Sequence, residues 1–195
     1  MENEVNEPAP KYNYISPDEY LEMERNSDEK HEYYNGFVVA MSGARLRHVD
    51  IFGNLFAEVK NFLRGKGCRP LGSDMRVCTP ERDAYVYPDM SIVCGEPKLE
   101  DDKFDTLTNP SVVVEILSRS TRKIDTKYKF LFYQSIPTVK EYIMIDSEKR
   151  HIQAIRKQED GDWRIEELSH QDAVLLIQTI GFRIPMADIY QHTGL

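Results

Sequence analysis

The stretch Ser111-Val112-Val113-Val114-Glu115-Ile116-Leu117-Ser118 decides the fold. Its run of Val, Ile and Leu is apolar at odd and even positions alike, apart from one acid. Such a run describes a strand covered on both faces, the environment of a sheet between layers. A glutamate in that setting loses its hydration at a cost of several kcal/mol unless it is paired or coordinated. Glu115 therefore marks both the centre of the sheet and a candidate site.

Working outward, strands are expected over Gly72 to Thr79 and Tyr85 to Cys94. Before them, Ile51, Leu55, Phe56, Val59, Phe62 and Leu63 recur at helical spacing and predict an amphipathic helix over about 45–64. After Leu117, residues 123–135 read as a helix stopped by Pro137, and Glu141 to Asp146 as another strand. The order helix, three strands, helix, strand describes an α/β sheet with helices on its faces. The strand–helix–strand passage implies a right-handed crossover between parallel neighbours.

Additions flank this core of about 45–146. Ser16-Pro17-Asp18-Glu19 starts a helix with a capping box and proline in its first turn, ending near Asn26. Glu32 to Ser42 reads as a hairpin turning at Asn35-Gly36. Residues 151–157 and 162–168 form a second hairpin at Asp160-Gly161, and Val174 to Ile177 one more strand. Residues 1–13 read as a disordered leader, leaving 14–195 as a single domain.

The chain has 195 residues, 41% hydrophobic and 30% charged, enough for a core without disulfides or a structural metal. Cys68, Cys78 and Cys94 are odd in number and form no C-x-x-C pair, which argues against a disulfide framework and a thiolate zinc site. No stretch nears the roughly 18 apolar residues of a membrane span, so a reducing cytoplasm is the expected compartment. A net charge of −8 opposes a general nucleic-acid binder but not a nuclease, whose bound metal adds positive charge.

Asp89 follows Pro88 within the second strand, and proline breaks or edges a ladder. With Glu115 on a neighbouring strand, two carboxylates could supply oxygens to Mg²⁺ or Mn²⁺. The competing reading has Asp89 capping a bend and Glu115 paired with a buried Arg or Lys. Beyond the strand, Asp125 and Lys129 stand four apart, the spacing of a helix-surface ion pair. Arg119, Arg122, Lys123 and Lys127 are candidates for a cationic nucleic-acid groove, or simply a solvated helix face.

Several segments together resemble the Uma2 family of endonuclease-like proteins, within the PD-(D/E)XK nuclease-like superfamily. They are Glu29-Lys30-His31-Glu32-Tyr33-Tyr34-Asn35-Gly36, Gly72-Ser73-Asp74-Met75-Arg76-Val77, Tyr87-Pro88-Asp89-Met90-Ser91-Ile92-Val93, Asn109 to Ser118, and Glu141-Tyr142. The likeness runs from about Ile15 to Tyr190. It implies a restriction-endonuclease-like α-β-β-β-α-β core with a mixed sheet, an N-terminal helix and hairpin, and a C-terminal β extension.

It also implies that Asp89 and Glu115 are the signature acids, binding Mg²⁺ or Mn²⁺ to hydrolyse phosphodiester bonds of nucleic acid, DNA first. The wider superfamily has a lysine two residues after the glutamate; here Leu117 stands there, and the family pattern supplies Lys129 from the following helix instead. Glu32 and His48 match further pattern positions. His48 is a proton carrier or a capping residue. Asp74 faces the metal or pairs with Arg76 or Arg69. Tyr133, one turn after Lys129, is expected to pack against the sheet. By analogy with nucleases that cut two strands, a homodimer is expected. The alternative is an inactive nuclease-fold module that binds nucleic acid or protein.

Overall fold

Pro88 divides the strand expected over 85–94 into two pieces that join different sheets. This is seen in the computed structural model of the chain, which describes residues 14–118 and 128–195. The expected leader lies outside the described residues, as do Arg119, Arg122, Lys123, Asp125 and Lys127.

The chain begins with α1 (Pro17–Arg25), whose Ser16 and Glu19 form the capping box read from the sequence. The hairpin of β1 (His31–Tyr34) and β2 (Phe37–Ala40) follows. Its turn needs left-handed backbone, with φ of 46° at Asn35 and 90° at Gly36. A side chain at Gly36 would also meet the Tyr14 ring. Next come α2 (Leu46–Phe62), β3 (Cys68–Gly72) and β4 (Arg76–Cys78). The expected strand over 72–79 is thus broken: Gly72 to Met75 is a turn between β3, which pairs with the strand at Met90–Cys94, and β4, which lies within the expected range and makes pairs of its own. The two halves of the other broken strand are β5 (Ala84–Val86) and β6 (Met90–Cys94).

Short β7 (Thr106–Leu107) precedes β8 (Val112–Leu117), the strand that opened the argument. Then come α3 (Phe130–Ser135), β9 (Glu141–Asp146), the hairpin of β10 (Ile152–Lys157) and β11 (Trp163–Leu168), and the hairpin of β12 (Val174–Ile177) and β13 (Phe182–Pro185). A short α4 (Met186–Ile189) ends the described elements.

Six strands form the central sheet in the order β11-β10-β9-β8-β6-β3. Within it, β8 and β9 run parallel while their neighbours are antiparallel, so the sheet is mixed. A second sheet, β2-β1-β5-β4-β7, takes the N-terminal hairpin and the detached β5.

The central sheet is apolar on both faces because it is covered on both. Val112, Val114 and Ile116 pack with Ile51, Leu55 and Val59 of α2 and with the β12–β13 hairpin. Val113 and Leu117 pack on the opposite face with Tyr133, Ile136, Tyr142, and Val77 and Val86 of the second sheet. Each fully buried aliphatic side chain contributes about 1.5–3 kcal/mol. Glu115 belongs by alternation to this second face, between Val113 and Leu117.

The cysteine expectation fails. Cys68 and Cys94 are joined by a disulfide. They stand directly opposite in the β3–β6 register, a pairing hidden by the 26 residues that separate them in sequence. Only Cys78 is a free thiol, and it is buried. Cysteine usage therefore does not argue for a reducing compartment. Among the described residues, no helix is long and apolar enough to cross a membrane.

Candidate active site

The β6–β8 ladder stops at the pair Met90 and Val114. One step beyond it stand Asp89 and Glu115, opposite each other where the strands part. Asp89 Oδ2 accepts the Ile116 backbone N–H at 2.6 Å, so its carboxylate takes the place of the next ladder partner. Its Oδ1 lies 3.2 Å from His48 Nε2 on the first turn of α2, with both side chains part-exposed. Pro88 makes this possible: with no N–H to donate, it ends β5 pairing and frees the following residue to turn its side chain into the gap.

Glu115 is only 4% exposed and Lys129 only 5%. The Lys129 ammonium, immediately before α3, stands 3.1 Å from Glu115 Oε1 and 2.9 Å from Glu32 Oε1. Tyr133 donates its hydroxyl to Glu115 Oε1 at 2.8 Å, and its ring packs against Tyr142. Glu32 is held by the Tyr34 hydroxyl at 2.7 Å and the Tyr87 backbone N–H at 3.1 Å. One ammonium thus joins acids from both sheets, each acid also fixed by its own donors. Burial first, and then the Glu115 carboxylate, push the Tyr133 phenol well above its usual range. Burial likewise raises Tyr34. Both tyrosines stay protonated donors at any ordinary pH.

Of the residues read from the sequence, the structure joins Glu32, Glu115 and Lys129 in one group and His48 with Asp89 in another, and Asp89 links the two through the backbone of Ile116, next to Glu115. Asp74 stays outside. Its side chain is 96% exposed and it pairs with Lys30, not with Arg76 or Arg69. Lys129 is buried rather than on the surface, and Asp125, its expected helix partner, lies outside the described residues. Leu117, two residues after Glu115, is buried in the apolar core, so no cation comes from the strand itself. The competing reading of the acids also describes real contacts, since Asp89 caps the diverging strand and Glu115 meets a lysine. Tyr34 and the Tyr87 backbone were not singled out from the sequence. Tyr133 both packs and donates. Its spacing of one turn from Lys129 was the available signal.

Among the described residues, no group of three or more His, Cys, Asp or Glu is arranged to hold a metal ion. The donor set that is present is nevertheless of the right kind. Asp89 and Glu115 carry carboxylate oxygens at the next positions beyond the end of the β6–β8 ladder, with Asp89 bonded to the Ile116 backbone. Hard oxygens of this type suit Mg²⁺ or Mn²⁺, which keep several waters and use one or two carboxylates.

This architecture, a mixed sheet split around a pair of acids, is a nuclease-type α/β fold. A solved structure titled as "a putative nuclease belonging to DUF820" from Anabaena variabilis matches it with a TM-score of 0.73. It covers 90% of this chain and 97% of that one, at 18% identity, a likeness of fold. The chain itself belongs to the Uma2 family, whose model, described as "Putative restriction endonuclease", matches residues 17–187. Two proteins of Synechocystis sp., slr1290 and sll1609, both named as uncharacterized, are each 33% identical to it. The first aligns over 184 residues, 94% of this chain and 95% of its own length. The second aligns over 155 residues, 80% and 88%.

Proposed function

We propose that the chain is a metal-dependent endonuclease that hydrolyses phosphodiester bonds, with DNA as substrate. One observation carries the reading: a glutamate buried in an otherwise apolar strand meets a buried lysine, with Asp89 bonded to the backbone of the next residue where the strands open. The family description and the fold agree with it. Asp89 and Glu115 would hold Mg²⁺ or Mn²⁺, with the Ile116 carbonyl as a further oxygen. The ion, when bound, supplies Lewis acidity to the phosphate and lowers the pKa of coordinated water.

The chain's own groups do the rest. Lys129 places a fixed positive charge where negative charge grows on the phosphoryl oxygens, or orients the attacking water. Tyr133 and Tyr34 hold Glu115 and Glu32 in place so that the ammonium keeps its position. His48, against Asp89, carries a proton between the site and solvent. A homodimer would present two such sites to the two strands of a duplex.

A second reading draws on burial. Glu115 and Lys129 are nearly inaccessible, as a binding module without catalysis would have them. Mg²⁺ or Mn²⁺ affinity and plasmid nicking, compared between wild type and Glu115→Gln, separate the two. The endonuclease reading expects nicking in the wild type and its loss in the variant. Equal, non-zero nicking in both defeats the site assignment, and metal binding or nicking absent from both favours the binding module.

A further inference from the structure

The segment from Val59 to Ser73 carries Lys60, Arg64, Lys66 and Arg69 and no acid, in a chain of net charge −8. All four are exposed and line one open pocket of about 280 Å³ at the end of α2 and the start of β3. None has a carboxylate partner among the described residues. Arg64 donates to the Asn61 side chain at 3.3 Å, and the Lys66 ammonium lies 3.1 Å from the Phe62 ring centroid. The other arginine-lined pocket differs. There Arg25 is neutralised by Asp101 and Asp105, and Arg82 by Asp18 and Glu100.

The negative end of the α2 macrodipole accounts for Lys60. It does not account for Arg69, which lies on β3, nor for four cations around one opening. The pocket is also fixed in shape. Cys68 lines it and is bonded to Cys94 on β6, and Gly95 N–H donates to the Gly67 carbonyl at 2.7 Å.

We infer that this pocket is an anchor for the phosphate backbone of nucleic acid, apart from the site that would cut it. The inference rests on the nucleic-acid half of the proposed function. Charge complementarity selects the occupant, since the pocket concentrates positive charge on an acidic protein. Position agrees with it. His48 and Lys60 are both on α2, twelve residues or about 18 Å apart along the helix axis. That distance is about five steps of a duplex at about 3.4 Å each. A duplex of ordinary length is long enough to span both positions.

Binding of a fluorescent 30-base-pair DNA duplex, followed by anisotropy in EDTA, tests this without any need for cleavage. In wild type, four phosphate contacts account for about a hundredfold loss of affinity between 50 and 200 mM salt. Lys60→Ala/Arg64→Ala/Lys66→Ala/Arg69→Ala should lower the slope of log affinity against log salt by about 3–4. Lys60→Arg/Lys66→Arg should keep it, and so should Lys140→Ala/Lys157→Ala, which removes exposed charge elsewhere. An unchanged slope in the quadruple variant overturns the inference. So does wild type that ignores duplex and single strand at 50 mM salt, whether or not it binds phosphatidylserine vesicles. Failure of nicking with the slope change intact would instead remove only the catalytic reading.

Discussion

Replacing Lys129 by methionine keeps the side-chain volume and removes the ammonium between Glu115 and Glu32. Both acids are buried, at 4% and 8% exposure, and neither can reach bulk water without opening the site. Breaking a buried pair by removing one partner costs about 3–5 kcal/mol, because the remaining charge keeps its desolvation penalty. For a chain of this size that is a fall in Tm of about 6–20 °C, at about 2–4 °C per kcal/mol. Trp163, the single tryptophan, meets Phe130 edge-on at 5.4 Å, one residue from Lys129, and gives a local fluorescence signal in urea. Glu115→Gln/Lys129→Met removes one uncompensated acid together with the lysine and should lose less than Lys129→Met alone. The coupling from the double-mutant cycle should exceed about 1 kcal/mol. A Lys129→Met protein within about 1 kcal/mol of wild type, or additive single effects, would refute the claim that this pair is buried and interdependent.

Mn²⁺ at a hundred times its Kd should raise wild-type stability by about 2.7 kcal/mol and leave Asp89→Asn unchanged, read by urea unfolding with and without the ion. Thiol titration should find no reactive group in the native protein, one after denaturation and three after reduction. The one is Cys78, whose thiol burial pushes up to about 12, so that it carries no thiolate at pH 8. Asp105 is lowered to about 2, chiefly by its hydrogen bond from Arg25. Its folded value lies below the unfolded one. It therefore stabilises the fold above about pH 4, and that share is lost as the pH falls towards 2. Asp105→Asn should flatten the acid limb of stability against pH, and an unchanged limb would count against the pair.

The sequence by itself determined what depends on neighbours along the chain. The Ser16 capping box, the Asn35-Gly36 turn and the fully buried β8 and β9 follow from backbone hydrogen bonding and burial periodicity, which act over a few residues. The oddity of Glu115 was legible for the same reason: its immediate neighbours made its desolvation evident. The tertiary structure alone decided the long-range partners. It split β5 from β6 at Pro88, broke the strand expected over 72–79 so that β3 and β4 join different sheets, and set Cys68 opposite Cys94. It also brought Glu32 of one sheet to the lysine that meets Glu115 of the other. These contacts depend on strand register and on the packing of one sheet against another, and no local pattern encodes either.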